Sequence, residues 1–325
     1  LKYGLTVQNL EAVKILTIDG QELLFSRQDE GMGLLALMTG SEGLLGVISE
    51  ITVKLTKKPQ VAKLVMAGFD SVRDCANTVA EIIKIGVIPA GLEMMDQFAI
   101  EASEAFAQAG YPLGAKALLL CELDGSEDLV KEDLNKVINI LSKASSVRVS
   151  ENEEERLLFW KGRKSAFPAV GRLSPDYYCM DGTIPKRFLA DVLEKISKLS
   201  ATYDLRVANV FHAGDGNLHP LILYDAAQPG ELEKAEDFGN DILKLCVDMG
   251  GSITGEHGVG IEKLDAMCHQ YNSSELEIFH QIKAVFDPHS LLNPGKAVPT
   301  LHRCAELGNM HVHNGNLPHP ELERF

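Results

Sequence analysis

Residues 210–220 read VFHAGDGNLHP, and a strand-like segment rich in β-branched and apolar residues lies on each side of them. The four residues 214–217 have the composition of a tight turn, so the stretch predicts a β-hairpin. With that turn, His212 faces His219 across the two strands, and both imidazoles lie on one face of the hairpin. The hairpin also supplies at least one antiparallel strand pair, and this observation is used below to predict the fold class.

The two histidines of this hairpin have two interpretations. Imidazoles at cross-strand distance can share a metal cation. However, Asp-Gly turns are common, and histidines in hairpins are often only polar surface residues. The hairpin alone favours the surface interpretation, and a metal site needs further ligands from elsewhere in the chain.

Outward from the hairpin, strands alternate with helices whose apolar residues recur at spacings of three and four. The predicted strands include residues 61–69, 91–95, 117–123 and 177–184, and a helix is predicted over residues 97–107. Because helices separate these strands and the hairpin is antiparallel, we predict an α+β fold with the helices on one face of the sheet. Near the N-terminus, Asp19-Gly20 indicates a second, shorter hairpin.

Net charge and the length of apolar runs argue against some classes of protein. The formal net charge of -15 argues against sequence-independent binding of nucleic acid, because phosphate contacts need a basic surface. No apolar run approaches the roughly 20 residues that cross a bilayer, so we expect a cytoplasmic protein. The chain starts at Leu1 without an initiator Met, and we expect it to be truncated at its N-terminus.

Cysteine usage points to a reducing compartment. The six cysteines are scattered and form no Cys-x-x-Cys pair, which fits buried thiols better than a disulfide framework. The same spacing provides no obvious ligand set for an iron–sulfur cluster. These cysteines are Cys75, Cys121, Cys179, Cys246, Cys268 and Cys304.

A glycine-rich stretch, GGSITGEHGVG at residues 250–260, presents an acidic residue beside an imidazole. Glycines let the backbone approach a ligand closely. Glu256 is therefore a candidate third ligand for a cation at His212 and His219, and His257 is a candidate general base. The competing interpretation is a glycine-rich start of a helix whose Glu and His are solvated, but the density of glycine around two ionisable residues favours the functional interpretation.

Two further segments carry polar groups of interest. Residues 159–167 read FWKGRKSAF, and the planar guanidinium of Arg163 suits bidentate binding of a carboxylate. A surface run of Lys and Arg is the alternative. Beyond Val298 the composition changes, and residues 301–325 include His302, His311, His313 and His319. This tail could bind metal, or it could dock on a partner or on the body of the protein.

Four motifs occur in an order that resembles the FAD-dependent 2-hydroxyacid dehydrogenases of the vanillyl-alcohol-oxidase (VAO) type. They are GSEGLLG at 40–46, the hairpin at 212–219, GEHGVG at 255–260 and NPGK at 293–296. The resemblance covers the whole chain. It implies the C-terminal part of a VAO/PCMH-type FAD-binding domain at residues 1–59, a ferredoxin-like substrate or cap domain at 60–297, and a His-rich tail at 298–325.

The resemblance also implies site residues and a reaction, the oxidation of a small D-2-hydroxy acid, glycolate or D-lactate, to the 2-oxo acid. Arg163 would anchor the substrate carboxylate, and His257 would be the base near the hydroxyl. His212, His219 and Glu256 would bind a divalent metal, with Zn, Fe and Mn equally compatible. The residues expected to line the FAD are Gly40, Ser41, Glu42, Gly43, Gly46 and Asn293.

The same resemblance implies partners. Because the chain has no iron–sulfur ligand set, reduced flavin would pass electrons to companion flavin and iron–sulfur subunits at the inner face of the membrane, and then to quinone. Related enzymes for longer diacids often carry a Lys where this chain has residues 177–180, YYCM, which suits a small monocarboxylate. The family's main phosphate-binding loop is expected upstream of Leu1, so a non-catalytic metal-binding or scaffold fragment is the alternative.

Overall fold

The computed structural model describes residues 1–29 and 33–300, which divide into two units. The sheet unit consists of Leu1–Tyr3 and Lys58–Gly255. Among the described residues, the small unit consists of 4–29, 33–57 and 256–300. The domain boundaries expected at residues 59 and 297 stay a prediction.

Ten strands and eleven α-helices account for most of the described residues. The strands are β1 Leu10–Leu16, β2 Glu22–Ser26, β3 Val47–Val53, β4 Val61–Phe69, β5 Gly91–Asp96, β6 Ala117–Gly125, β7 Ser146–Val149, β8 Asp176–Cys179, β9 Val207–Phe211 and β10 Pro220–Tyr224. The helices are α1 Thr6–Asn9, α2 Leu34–Met38, α3 Val72–Lys84, α4 Gln97–Ala107, α5 Glu127–Ile140, α6 Glu153–Lys164, α7 Ala166–Val170, α8 Leu189–Tyr203, α9 Glu231–Asp248, α10 Leu264–Gln270 and α11 Ser273–Phe286.

The sheet unit is built on seven strands in the order β7-β4-β6-β5-β9-β10-β8, and every neighbouring pair is antiparallel. This arrangement confirms the predicted α+β class. The structure corrects the prediction that helices lie on one face. Val65 and Ala67 of β4 pack in one apolar cluster with α3, α5, α8 and α9. Leu64 and Met66 pack in a second cluster with α4, α6 and α7. Since side chains alternate along a strand, both faces of the sheet are covered.

Side-chain capping marks the points where several helices begin. Ser71, Ser126 and Asn152 each accept a hydrogen bond from a backbone N–H in the first turn of the following helix. Asp96 does the same for α4, with its Oδ1 2.9 Å from the N–H of Ala99. Burial raises the pKa of Asp96 to about 6, although hydrogen bonds from Ala99 and Asn209 oppose that shift.

The small unit contains a three-stranded antiparallel sheet in the order β2-β1-β3. Its first two strands form the hairpin predicted at Asp19-Gly20. Val13 and Ile15 of β1 are buried with Met38 of α2 in one apolar cluster. Within the described ranges of both units, no helix has the length and apolarity needed to cross a bilayer.

Candidate active site

The hairpin of β9 and β10 has a different register from the predicted one. Asn209 pairs with Pro220, and His212 forms a bridge with Asn217, so the turn comprises residues 213–216. The predicted direct pairing of His212 with His219 is therefore wrong by two residues. A shift of two keeps both side chains on one face. The two rings contact edge to face, with their centroids 5.1 Å apart.

In this register the hairpin is in contact with residues of other segments. The N–H of Leu218 donates to the carbonyl of Gly182 at 2.9 Å, so Leu218 does not extend the ladder with β9. At the turn, Gly216 has a φ of +74°, and an added Cβ would lie 2.2 Å from the carbonyl oxygen of Ile184. Only glycine fits there. The sequence prediction used local turn chemistry alone and did not include these neighbours.

His212 lies beside a buried ion pair. Glu93 of β5 is 6% exposed, and its Oε2 lies 2.8 Å from Nη2 and 3.0 Å from Nε of Arg163. The Nδ1 of His212 is 3.0 Å from Oε1 and 2.9 Å from Oε2 of the same carboxylate. One carboxylate therefore bridges a guanidinium and an imidazole, and these partners offset part of the cost of burying its charge.

Close packing of α6 places Arg163 in the interior. At the preceding residue, Gly162, an added Cβ would lie 2.5 Å from the Tyr111 ring. The helix backbone therefore approaches Tyr111 more closely than a larger residue would allow. The Tyr111 hydroxyl donates to the carbonyl of Phe159 at 2.7 Å, and burial raises the pKa of this hydroxyl. Arg163 itself is 6% exposed, which contradicts the alternative of a solvated surface run at this position.

His219 is buried among polar and aromatic groups of the sheet unit. Its ring packs edge to face on Phe167, with centroids 6.1 Å apart. A ligand atom of His219 lies within 4.8 Å of one on His212 and within 4.8 Å of a carboxylate oxygen of Asp181. Imidazole nitrogens and carboxylate oxygens are donor types that Zn, Fe and Mn accept, so these residues have donor chemistry suited to a divalent metal.

Asp181 fixes the segment that leads to the second motif. Its carboxylate accepts hydrogen bonds from the Thr254 hydroxyl at 3.2 Å and from the Gly255 N–H at 3.1 Å. Its carbonyl accepts from Gly255 at 2.8 Å and from Nδ2 of Asn217 at 3.0 Å. A Cβ added to Gly255 would lie 2.2 Å from that same Nδ2. The backbone is thus held closely up to the residue before Glu256.

Glu256 and His257 begin the small unit, and both side chains are exposed. They lie in an irregular loop that ends before α10, and Gly258 and Gly260 adopt φ values of +85° and +54°. The carboxylate of Glu42 accepts hydrogen bonds from the N–H groups of Val259 and Gly260, each at 2.8 Å. The loop after His257 is therefore held by a residue of the GSEGLLG motif.

A cavity of about 280 Å³ lies within the small unit along this loop. His257 is at one end of its lining, which continues through residues 258–263 and includes Lys296. Lys263 in this wall is 2% exposed. The cavity is close to the lower limit of typical ligand pockets, so it suits a small ligand or one portion of a larger ligand.

The expected FAD residues form one cluster in the small unit. Asn293 donates its Nδ2 to the carbonyl of Glu42 at 2.6 Å, and a Cβ added to Gly43 would lie 2.8 Å from the same nitrogen. Gly40 is exposed at a φ of +77°, with open space where a Cβ would be. The backbone at Gly40 is therefore open to a flavin, and in this respect the residues fit FAD.

Two members of the expected FAD set have structural contacts of their own. The Glu42 carboxylate binds the N–H groups of the 259–260 loop. Gly46 is buried, and its backbone lies close to Ile15 and the carbonyl of Leu16. Ser41 is half-buried beside them. The His-rich tail at residues 301–325 lies outside the described residues, so its role stays a prediction.

Sequence reasoning missed Glu93, Asp181 and Asn217. Glu93 is a charged residue flanked by the apolar Leu92 and Met94 in β5, and that setting was a signal that could have identified it. Asp181 and Asn217 adjoin glycines in what look like ordinary turns, and their contacts join segments far apart in the sequence. No local pattern predicts such contacts.

The family model described as "FAD linked oxidases, C-terminal domain" matches residues 58–297. The chain is 61% identical over 330 residues to the glycolate oxidase subunit GlcD of Escherichia coli K12, which covers 100% of this chain and 66% of that protein. It is 30% identical over 312 residues to the mitochondrial D-lactate dehydrogenase [cytochrome] of Arabidopsis thaliana, covering 94% of this chain and 54% of that protein.

Among solved structures, p-cresol methylhydroxylase with substrate bound has a similar fold. The TM-score is 0.71 at 14% sequence identity, and the match covers 91% of this chain and 66% of that one. At this identity the likeness concerns the fold alone, and it confirms the predicted PCMH type. A closer resemblance, to the GlcD chain of bacterial glycolate oxidase, is carried by the motifs and the C-terminal ending, and the identity to the E. coli protein confirms it. The chain spans about two thirds of that relative's length.

Proposed function

Because the chain belongs to the family of the FAD linked oxidases, C-terminal domain, we propose that it serves in a flavoenzyme that oxidises a small D-2-hydroxy acid to the 2-oxo acid. The observation that carries this proposal is the 61% identity to a glycolate oxidase subunit across the whole chain. Glycolate and D-lactate are the proposed substrates, since the Arabidopsis relative is described as a D-lactate dehydrogenase. FAD is the proposed cofactor.

The residues of the sheet unit have the chemistry for holding a hydroxy acid. We assign His212 and His219 as ligands of a divalent metal, and Glu256 remains the third ligand expected from the sequence. Such a metal would polarise the substrate hydroxyl and carboxylate. Arg163 contributes a fixed positive charge for the carboxylate, and its pairing with Glu93 holds the guanidinium in place.

In this proposal, His257 is the residue that takes part in proton transfer. Oxidation removes a hydride, that is a proton together with two electrons, from the substrate carbon and one proton from its hydroxyl, leaving a carbonyl group. His257 accepts that hydroxyl proton as general base. When bound, FAD supplies the two-electron oxidant, which the protein side chains cannot provide.

Aromatic residues near His219 support a small substrate. Phe167 packs edge to face on both His219 and Tyr177, with centroid distances of 6.1 Å and 6.2 Å. Tyr177 and Tyr178 belong to β8, the segment where the resemblance leads us to expect a Lys in enzymes for longer diacids. Aromatic groups here offer no second cation for a distal carboxylate, so a monocarboxylate with a short side chain is favoured.

The experiment that tests this function is dye-linked oxidation of glycolate and D-lactate by the flavin-loaded full-length protein and by His219→Ala. We expect the variant to lose at least about 100-fold in activity, because loss of a metal ligand removes both polarisation and substrate orientation. His289→Ala, which changes an exposed histidine of the small unit, is the matched control. Full activity in His219→Ala would refute the metal assignment, and inactivity of the wild-type protein would favour a scaffold function.

Electron transfer from the reduced flavin is proposed to use partners. GlcD is described as a subunit of glycolate oxidase. We infer that this chain joins companion flavin and iron–sulfur subunits of a glycolate oxidase complex, cytoplasmic or peripheral at the inner membrane, with quinone as the later acceptor. Co-purification of the tagged protein from cells that express the companion subunits should recover the complex. Deletion of residues 301–325 should weaken it if the tail docks there, and an unchanged complex would contradict that docking role.

A further inference from the structure

The carboxylate of Glu93 contacts both Arg163 and His212. It belongs to none of the motifs on which the proposed function rests. Its strand, β5, lies between β6 and β9 in the sheet, and its neighbours Leu92 and Met94 are buried in the core. A charged side chain in this position must be paired, and both of these partners are site residues of the proposed function.

Contact with Glu93 selects one tautomer of His212. A carboxylate can only accept hydrogen bonds, so the ring nitrogen beside it, Nδ1, carries the proton and donates. The lone pair of the neutral imidazole then resides on Nε2. A metal-binding histidine commonly has this arrangement, in which a carboxylate on the far nitrogen fixes the ring orientation and raises ligand basicity.

We propose that Glu93 is a positioning residue that holds His212 in the Nδ1–H tautomer with its Nε2 directed to a divalent metal, and that simultaneously fixes Arg163. This inference rests on the proposed function, because it takes His212 as a metal ligand. It adds a residue that connects the metal ligand to the carboxylate anchor.

The geometry of the pair supports a fixed position for Glu93. Both Nε and Nη2 of Arg163 approach the same oxygen, Oε2, at 3.0 Å and 2.8 Å. The carboxylate therefore has little freedom to rotate without breaking a contact to a buried guanidinium. Movement of Glu93 would displace both Arg163 and His212, so the metal ligand and the anchor are set by one group.

A purely structural role for Glu93 makes a different prediction. If the carboxylate served only to tie β5 to α6, its replacement would lower stability and leave the tautomer of His212 and metal affinity unchanged. Glu122 provides the matched control, since it faces β5 from the neighbouring strand β6 and is paired with Arg156 and Trp160. Glu122→Gln removes a comparable carboxylate of the same sheet whose partners lie outside the proposed site.

Two measurements on the whole chain test the proposal. First, nitrogen-15 NMR of the metal-free protein, assigned with His212→Gln, should show His212 as the Nδ1–H tautomer, and Glu93→Gln should shift it towards Nε2–H. Second, titration with Zn²⁺ alone against a chelator should show affinity falling by roughly 10–100-fold in Glu93→Gln. Glu93→Asp should recover part of this loss, and Glu122→Gln should bind as the wild type does.

The outcomes separate this inference from the function on which it rests. An Nε2–H tautomer in the wild-type chain, or equal Zn²⁺ affinity in Glu93→Gln and the wild type, would overturn the role of Glu93. If the wild-type chain binds no Zn²⁺, the metal assignment fails, and with it the proposal that Glu93 directs a ligand. Activity losses in Glu93→Gln without either change would assign Glu93 to structure alone. Thermal unfolding of each variant identifies any that fail to fold.

Discussion

At the scale of single residues, the site depends on a few glycines where an added side chain would overlap a neighbouring group. Gly255 precedes the Glu256-His257 pair and lies against Asn217, whose Nδ2 donates to the carbonyls of Asp181 and Gly182. Because Asn217 is held by these bonds, it cannot move aside freely. The absence of a side chain at Gly255 therefore permits the close approach of two segments that are distant in the sequence.

We expect Gly255→Ala to destabilise the protein. An added Cβ would lie 2.2 Å from Nδ2 and 2.7 Å from Cγ of Asn217, and relieving such an overlap costs about 1–3 kcal/mol. Urea unfolding should show this decrease in the free energy of unfolding. Gly171→Ala is the control, since Gly171 has helical dihedrals and an added Cβ would make ordinary contacts at 3.4 Å or more. Equal stability of Gly255→Ala and the wild type would contradict the packing argument.

At the scale of elements, regular segments could be predicted well and their partners could not. Strand β4 and helix α4 match the predicted ranges 61–69 and 97–107 at both ends, because periodic apolar residues and an N-cap are local signals. Strand β8 ends at Cys179, whereas the prediction extended to residue 184. Met180 still donates to Pro220 of β10, whereas the residues from Asp181 to Ile184 bond to Gly216, to Leu218 and to the 252–255 segment.

For the hairpin too, the sequence predicted the element but not the register in which its strands pair. Its existence, its turn region and the shared face of its histidines follow from composition and the alternation of side chains. The register of its strand pairing does not follow from these local signals, because Leu92, Gly182 and Ile184 contact the hairpin from other segments. Helices on both faces of the sheet were missed for a related reason. The central strands are apolar on both sides, and a short apolar run does not reveal how many layers cover it.

At the scale of the whole molecule, the sheet unit and the small unit contain different parts of the proposed chemistry. The sheet unit holds His212, His219 and the Glu93–Arg163 pair, and the small unit holds His257 and the cluster expected to contact FAD. Resemblance of the motifs in order predicted all of these residues except Glu93, whereas composition excluded classes of function without identifying one. Glu93 and Asp181 became evident only when the strands were assembled.

The proposed oxidation of a small D-2-hydroxy acid can be tested with the flavin-loaded full-length protein. The measurement compares its rates of dye-linked oxidation of glycolate, D-lactate and L-lactate. We expect turnover of glycolate and D-lactate, with L-lactate slower by roughly 100-fold or more, because a carboxylate anchor and a metal-bound hydroxyl fix which hydrogen-bearing face of the chiral carbon reacts. Equal turnover of the two lactate enantiomers, or no turnover of glycolate and D-lactate, would contradict it.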